Sequence, residues 1–168
     1  MWLSTMSKGQ LIRLQLAFAQ SYPAKLYIMD EPAGNLDAEF REEFYDRIRE
    51  LVADEQRSVI LSSHLVTELE HIADQILWIG RDENGGFQRY FGGIDELKER
   101  YRILSADKEA EAVLPKDMIA GSRIRETHSE YLLYREDGNF AESLTVGEWR
   151  FPDLQEIMYY TEKESAQE

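Results

Sequence analysis

The strongest constraint on the fold is a rhythm in the first half of the chain. The short apolar run Lys25-Leu26-Tyr27-Ile28-Met29 closes on Asp30-Glu31-Pro32. Residues 38–53 follow, with Phe40, Phe44, Ile48, Leu51 and Val52 at helical spacing, and then a second apolar run, Ser58-Val59-Ile60-Leu61-Ser62. Apolar runs too short for helices, separated by a helix-length amphipathic segment, read as strand, helix, strand. A short helix at 66–73 and a third strand at 75–79 continue the pattern, and Leu11, Leu14 and Phe18 mark a buried helix ahead of it. This alternation predicts an α/β fold built on a parallel sheet with crossover helices.

After Ile79 the pattern changes. Asp82-Glu83-Asn84-Gly85-Gly86 is a turn and Phe87 to Phe91 a hairpin return, followed by Gly92-Gly93 and a charged helix at 95–101. Strands are expected at 123–127 and 131–135, with the turn Glu136-Asp137-Gly138-Asn139 after the second. Phe151-Pro152-Asp153 opens a last helix bearing Leu154, Ile157 and Met158. A boundary near Gly93 is expected to separate an α/β portion, 1–93, from a small accessory α+β appendage, 94–168.

In an open parallel sheet, ligands sit beyond the carboxyl ends of the strands, where helix N-termini offer N–H donors. The residues to watch therefore end strands: Asp30 and Glu31 after the first, Ser62, Ser63 and His64 after the second. Adjacent carboxylates ending an apolar strand suit a divalent cation and a water nucleophile. Asp30 can orient Mg²⁺ through water while Glu31 faces an attacking water, and the His64 imidazole can meet a terminal phosphate. The same residues also suit a polar strand exit and a neighbour of a helix N-cap, since Asp, Glu and Pro all mark turns. At the other end, Ser7 in Met6-Ser7-Lys8-Gly9-Gln10 reads as the cap of a helix N-terminus able to meet an anion.

Charge narrows the partners. In 168 residues, 33 Asp and Glu outweigh 19 Lys and Arg, for a formal charge of −14. No basic cluster suits a nucleic-acid backbone or an anionic lipid surface. No apolar run reaches the roughly 18 residues of a membrane span, so a soluble chain without direct membrane insertion is expected. With no cysteine there is no thiolate metal site or disulfide framework. His71 is expected in solvent and His128 beside a strand, while Trp2, Trp78 and Trp149 read as packing residues. Glu42-Glu43 and the acidic stretch 109–111 read as solvated faces.

Motif order says more. Met6-Ser7-Lys8-Gly9-Gln10, then Leu26 to Pro32, then Gly34-Asn35-Leu36-Asp37, then Ser62-Ser63-His64 resembles the second half of an ABC-transporter ATP-binding domain, a P-loop NTPase. In that family these are the signature motif, Walker B with its catalytic glutamate, the D-loop and the switch histidine. The resemblance implies that Ser7, Gly9 and Gln10 contact ATP held by an opposite subunit, that Asp30 serves Mg²⁺, and that Glu31 polarises the water. It also implies that His64 touches the γ-phosphate and that Asp37 signals across the dimer. Lys8, Met6 and Ala33 depart from the commonest residues at tolerant positions. Tyr90-Phe91-Gly92-Gly93-Ile94-Asp95-Glu96-Leu97 and Phe151 to Met158 are similar to the C-terminal tail of ATPase subunits of bacterial drug, antibiotic-peptide or polysaccharide exporters.

None of the ten glycines precedes a lysine, so the Walker A loop, whose amides and lysine cradle phosphates, is not in this sequence. The expected parts are therefore a C-terminal portion of an ABC ATPase subunit, a second ATPase subunit (identical or different) and a separate membrane permease at the cytoplasmic face of the membrane. This chain by itself should bind and hydrolyse ATP little, and parts of Leu11 to Phe18 and Leu26 to Met29 should lie open. Two alternatives remain at this point: a natural short subunit presenting its signature motif to a P-loop-bearing partner, and an unrelated metal-dependent α/β phosphohydrolase.

Overall fold

A computed structural model describes residues 3–34, 36–53, 55–83, 85–107, 114–124, 128–140 and 147–165. Trp2, Asn35, Asn84, the stretch 109–111 and the end of the strand expected at 123–127 lie outside the described residues. Packing divides the chain into Met1–Ile72 and Ala73–Glu168.

The first unit holds α1 (Lys8–Gln20), β1 (Leu26–Asp30), α2 (Ala38–Val52), β2 (Ser58–Ser62) and the short α3 (Val66–Leu69). β1 and β2 pair in parallel with α2 as the crossover between them, and the register runs from Leu26 opposite Ser58 to Asp30 opposite Ser62. Strand side chains alternate between faces. One face of the pair, with Met29 and Val59, packs on the core of Ala33, Leu36, Phe44, Tyr45 and Ile48, where Ile12, Leu16 and Phe40 also meet. The other face carries Leu26, Ile28 and Ile60, the last two 75% and 57% exposed. On α1, Leu11, Leu14 and Phe18 are also exposed: the stripe whose spacing suits a buried helix lies open, as expected for parts of Leu11 to Phe18. The helix's inward residues Ile12 and Leu16 pack against α2 instead.

In the second unit, β3 (Gln75–Asp82) and β4 (Gly85–Gly93) form an antiparallel two-stranded sheet. The strand expected to extend the parallel run thus pairs with its own sequence neighbour. The tight return after Asp82, whose carboxylate accepts from the Gly85 amide at 3.0 Å, makes that pairing local and cheap in loop entropy. Gly80 leaves room for the Phe87 ring, which an added Cβ would meet at 2.5 Å. After α4 (Ile94–Glu99), strands β5 (Tyr101–Ala106), β6 (Ile119–Ile124), β7 (Ser129–Tyr134) and β8 (Glu148–Arg150) form a sheet in the order β6-β7-β5-β8.

One face of that sheet carries Leu104, Ala106, Tyr131 and Leu133, packed with Leu114, Ile119, Phe140 and Trp149. The other receives α5 (Leu154–Ser165): a Cβ on Gly121 would sit 2.6 Å from the Tyr160 carbonyl. Because Gly121 lies opposite Leu132, and Leu132 opposite Ile103, this same face buries Ile103 and Leu132 completely, and Leu154 and Ile157 are fully buried as well. No helix among the described residues is long and apolar enough to cross a membrane.

The start of α5 is fixed by a reciprocal cap. The Glu156 amide donates to Asp153 at 2.7 Å and the Asp153 amide to Glu156 at 3.0 Å, while both terminal nitrogens of Arg150 reach the Glu156 carboxylate at 2.6 and 2.7 Å. Arg150 holds the Glu156 carboxyl below its usual value of 4.5, against the opposing effect of burial. A carboxyl depressed in the folded state stabilises it above the unfolded pKa, and that stability is lost as pH falls through the folded value. Glu156→Gln is therefore expected to flatten the loss of thermal stability below about pH 4.5, read as melting temperature against pH. A slope equal to that of the unsubstituted chain would remove Glu156 as a source of acid sensitivity.

Candidate functional site

The site grows from the carboxyl edge of the parallel pair. Register places Asp30 level with Ser62, and the Ser62 hydroxyl does two things there. It donates to Asp30 Oδ1 at 2.5 Å and accepts from the Glu31 amide at 2.9 Å. The Glu31 amide also reaches the Ser62 carbonyl at 3.2 Å, and the Glu31 carbonyl accepts from the Gly34 amide at 3.3 Å.

These bonds hold Glu31 in an unusual backbone state, with φ of +44°. Such a conformation costs a non-glycine residue about 1–3 kcal/mol and persists only where the surroundings over-determine it. Its effect is on aim: Glu31 Oε2 meets His64 Nδ1 at 2.7 Å. A carboxylate only accepts, so the proton of this bond sits on Nδ1 and Nε2 is the ring atom left for another partner. Gly34 lies against the pair. A Cβ there would be 3.2 Å from Glu31 Oε2 and 3.3 Å from His64 Cε1, so this glycine gives clearance to both side chains.

The donors at this edge fit a divalent cation of the Mg²⁺ type. Asp30 is exposed, and its second carboxylate oxygen has no hydrogen-bond partner among the described residues. One carboxylate, completed by water and substrate phosphates, is a usual way to hold Mg²⁺.

The α1 N-terminus forms a second cluster. Ser7 caps the helix, accepting from the Gln10 amide at 3.2 Å, while the Gln10 side chain accepts from the Ser7 amide at 3.0 Å. Gly9 is buried with Phe40 against it, and a Cβ would stand 3.3 Å from that ring, which also lies under the Arg13 guanidinium at 4.6 Å. No hydrogen bond among the described residues joins Ser7, Gly9 or Gln10 to Asp30, Glu31 or His64. Hydrogen bonds thus link Asp30, Ser62, Glu31 and His64 into one group. Asp37 caps α2, accepting from the Phe40 amide at 3.0 Å.

Beside this edge lies a polar group that strand-end reasoning does not reach. Arg41 bonds to Glu68 and to the Leu36 carbonyl, and the Tyr45 hydroxyl donates to Glu68. Burial, reinforced by the Glu68 bond, pushes the Tyr45 hydroxyl well above its ordinary value, so it stays a donor. Ser62 is one of the strand-end residues singled out in the sequence, and the register sets it level with Asp30. Nothing local joins Arg41 to Glu68. His71 is exposed, and Trp78 is buried.

Fold and site together define an α/β protein with a polar strand edge: carboxylates, a hydroxyl and an imidazole at the carboxyl ends of parallel strands. Its curated relatives are ABC-transporter ATP-binding proteins. The chain is 37% identical over 86 residues to aliphatic sulfonates import ATP-binding protein SsuB 3 of Rhodococcus jostii, a match covering 51% of this chain and 31% of that protein. It is 36% identical over 81 residues to the uncharacterized ABC transporter ATP-binding protein YdbJ of Bacillus subtilis, covering 48% and 26%. To YhcH, another uncharacterized ABC transporter ATP-binding protein of that organism, it is 36% identical over 137 residues, covering 70% and 44%. The chain thus spans between a quarter and under a half of the length of these relatives. No protein-family model matches it.

Proposed function

We propose that this chain is part of the ATP-hydrolysing machinery of an ABC transporter, driving export through a separate membrane permease at the cytoplasmic face of the membrane. The observation that carries the reading is the Glu31–His64 pair, held at 2.7 Å beside Asp30 at the carboxyl edge of parallel strands. The names of the relatives support the ATP-binding part. The export direction rests on the likeness of Tyr90 to Leu97 and Phe151 to Met158 to the tails of exporter ATPase subunits.

In this reading ATP and Mg²⁺ supply the phosphoryl group and its charge neutralisation. Asp30, oriented by Ser62, would hold the cation; Glu31 would take the proton of the attacking water, and His64, oriented by its bond to Glu31, would contact the terminal phosphate. Ser7, Gly9 and Gln10 meet ATP bound by a second ATPase subunit, identical or different, as the resemblance of Met6 to Gln10 to the signature motif implies; a capped helix N-terminus favours anions. Asp37 lies at the dimer contact.

Ser7→Asp tests the reading. Asp caps helices as well as Ser does, so α1 should persist, but a carboxylate would now face the triphosphate. The assembled transporter should lose about tenfold or more of its ATP affinity, by like-charge repulsion, with unchanged helicity by circular dichroism. Unchanged ATP affinity would remove the α1 N-terminus from the ATP site.

A further inference from the structure

We infer that Arg41 and Glu68 are positioning residues that fix the Leu36-Asp37 turn to the segment bearing His64, so that both ends of the site keep one orientation. The inference rests on the reading of the Glu31 edge just given, and its observations are independent of it. Arg41 stands in the first turn of α2. One terminal nitrogen donates to Glu68 Oε1 at 2.5 Å and the other to the Leu36 carbonyl at 2.9 Å. Tyr45, one turn further on, donates to Glu68 Oε2 at 2.6 Å. Both oxygens of Glu68, on α3 just after His64, are thus held by α2.

The consequence is geometric. At the strand edge the stretch after β1 is joined to the stretch after β2 through Glu31, by its bonds to Ser62 and His64; the chain Leu36, Arg41, Glu68 joins them at a second place, five residues further on. Bonds that all meet at Glu31 leave Leu36 and Asp37 free to turn about it; the second attachment removes that freedom. The Leu36 amide donates back to the Ala33 carbonyl at 3.1 Å, so the second tie reaches the same turn that places Gly34 against the Glu31–His64 pair.

Energetics favour positioning over stabilisation. The Arg41 and Glu68 side chains are 25% and 23% exposed, and Arg41 Nε is buried without a partner among the described residues. A partly desolvated, incompletely satisfied ion pair adds little net stability, and apolar or neutral replacements are often neutral. It does impose geometry, and it needs the planar fork of arginine, since a lysine ammonium cannot serve two acceptors with the same rigidity.

The test uses Arg41→Lys and the double variant Arg41→Met/Glu68→Gln, which keeps an acceptor for Tyr45. In the assembled transporter, kcat for ATP hydrolysis should fall about tenfold in both, with KM for ATP within about twofold, since misplacement of a catalytic constellation lowers turnover. In the 168-residue chain, amide exchange at Leu36 and Asp37 should accelerate while the melting temperature of the double variant stays near that of the unsubstituted chain. Wild-type kcat with accelerated exchange would overturn the role in the site. A fall in kcat accompanied by an equal collapse in melting temperature would reduce it to stability. Hydrolysis that proves independent of Glu31 would sink the reading of the site and not the tie, which the exchange measurement judges alone: unchanged exchange at Leu36 and Asp37 in Arg41→Lys overturns it.

Discussion

In the assembled transporter, Glu31→Gln is expected to lower ATP hydrolysis by about 10²–10⁴-fold, the usual worth of a positioned general base, and to leave ATP binding in place. The substitution is close to isosteric. The amide oxygen still accepts from His64 Nδ1, the clearance provided by Gly34 is kept, and the backbone bonds of Glu31 to Ser62 are untouched. What is lost is the capacity to take a proton at the end of β1. Steady-state hydrolysis and ATP retention on the same preparation separate the two effects. A rate within about threefold of the unsubstituted transporter would sink the assignment of Glu31 as the base. Loss of binding together with rate would point to a structural role at this position.

The largest effect on stability is expected in the second unit. Ile157→Ala removes a fully buried side chain from the inward face of α5, and such a large-to-small change costs about 2–5 kcal/mol through lost transfer energy and residual cavity. Tyr160 lies one turn along on the same helix, its carbonyl turned to Gly121, so close approach of helix and sheet leaves little slack to collapse the void. The transition of this unit should move down by on the order of 10 °C. Gln155→Ala, on the exposed side of the same helix, should change stability by no more than about 0.5 kcal/mol. Thermal unfolding followed by circular dichroism compares them; a shift for Ile157→Ala no larger than that for Gln155→Ala would mean that α5 contributes nothing to the core.

Legibility in the sequence tracked local pattern. The helix expected at 38–53 is α2, Ala38–Val52, because Phe44, Ile48 and Leu51 repeat at helical period and Asp37 supplies a cap. β1 and β2 follow from short apolar runs. The third strand was legible as a strand, and so was the hairpin return that pairs with it; that it forms a sheet apart from β1 and β2 was not. β5 and β8 were not legible. Tyr101–Ala106 directly follows a charged helix, and Glu148–Arg150 is three residues long, so β8 is a strand only because the edge of β5 offers it hydrogen bonds.

The candidate site divides in the same way. Asp30, Glu31 and His64 were readable because polar residues that end apolar strands must emerge at the same edge of a parallel sheet. Ser7 and Asp37 were readable as helix caps from residue type. The two hydrogen bonds of the Ser62 hydroxyl, the left-handed backbone of Glu31, the clearance at Gly34 and the Arg41–Glu68 tie were decided by tertiary structure. Each depends on the register of two strands or on contact between residues 27 or more apart in the chain. Local residue type sets what a segment becomes and which groups it can offer. Only packing sets which distant group they meet, because that choice is made by register and shape once the segments have formed.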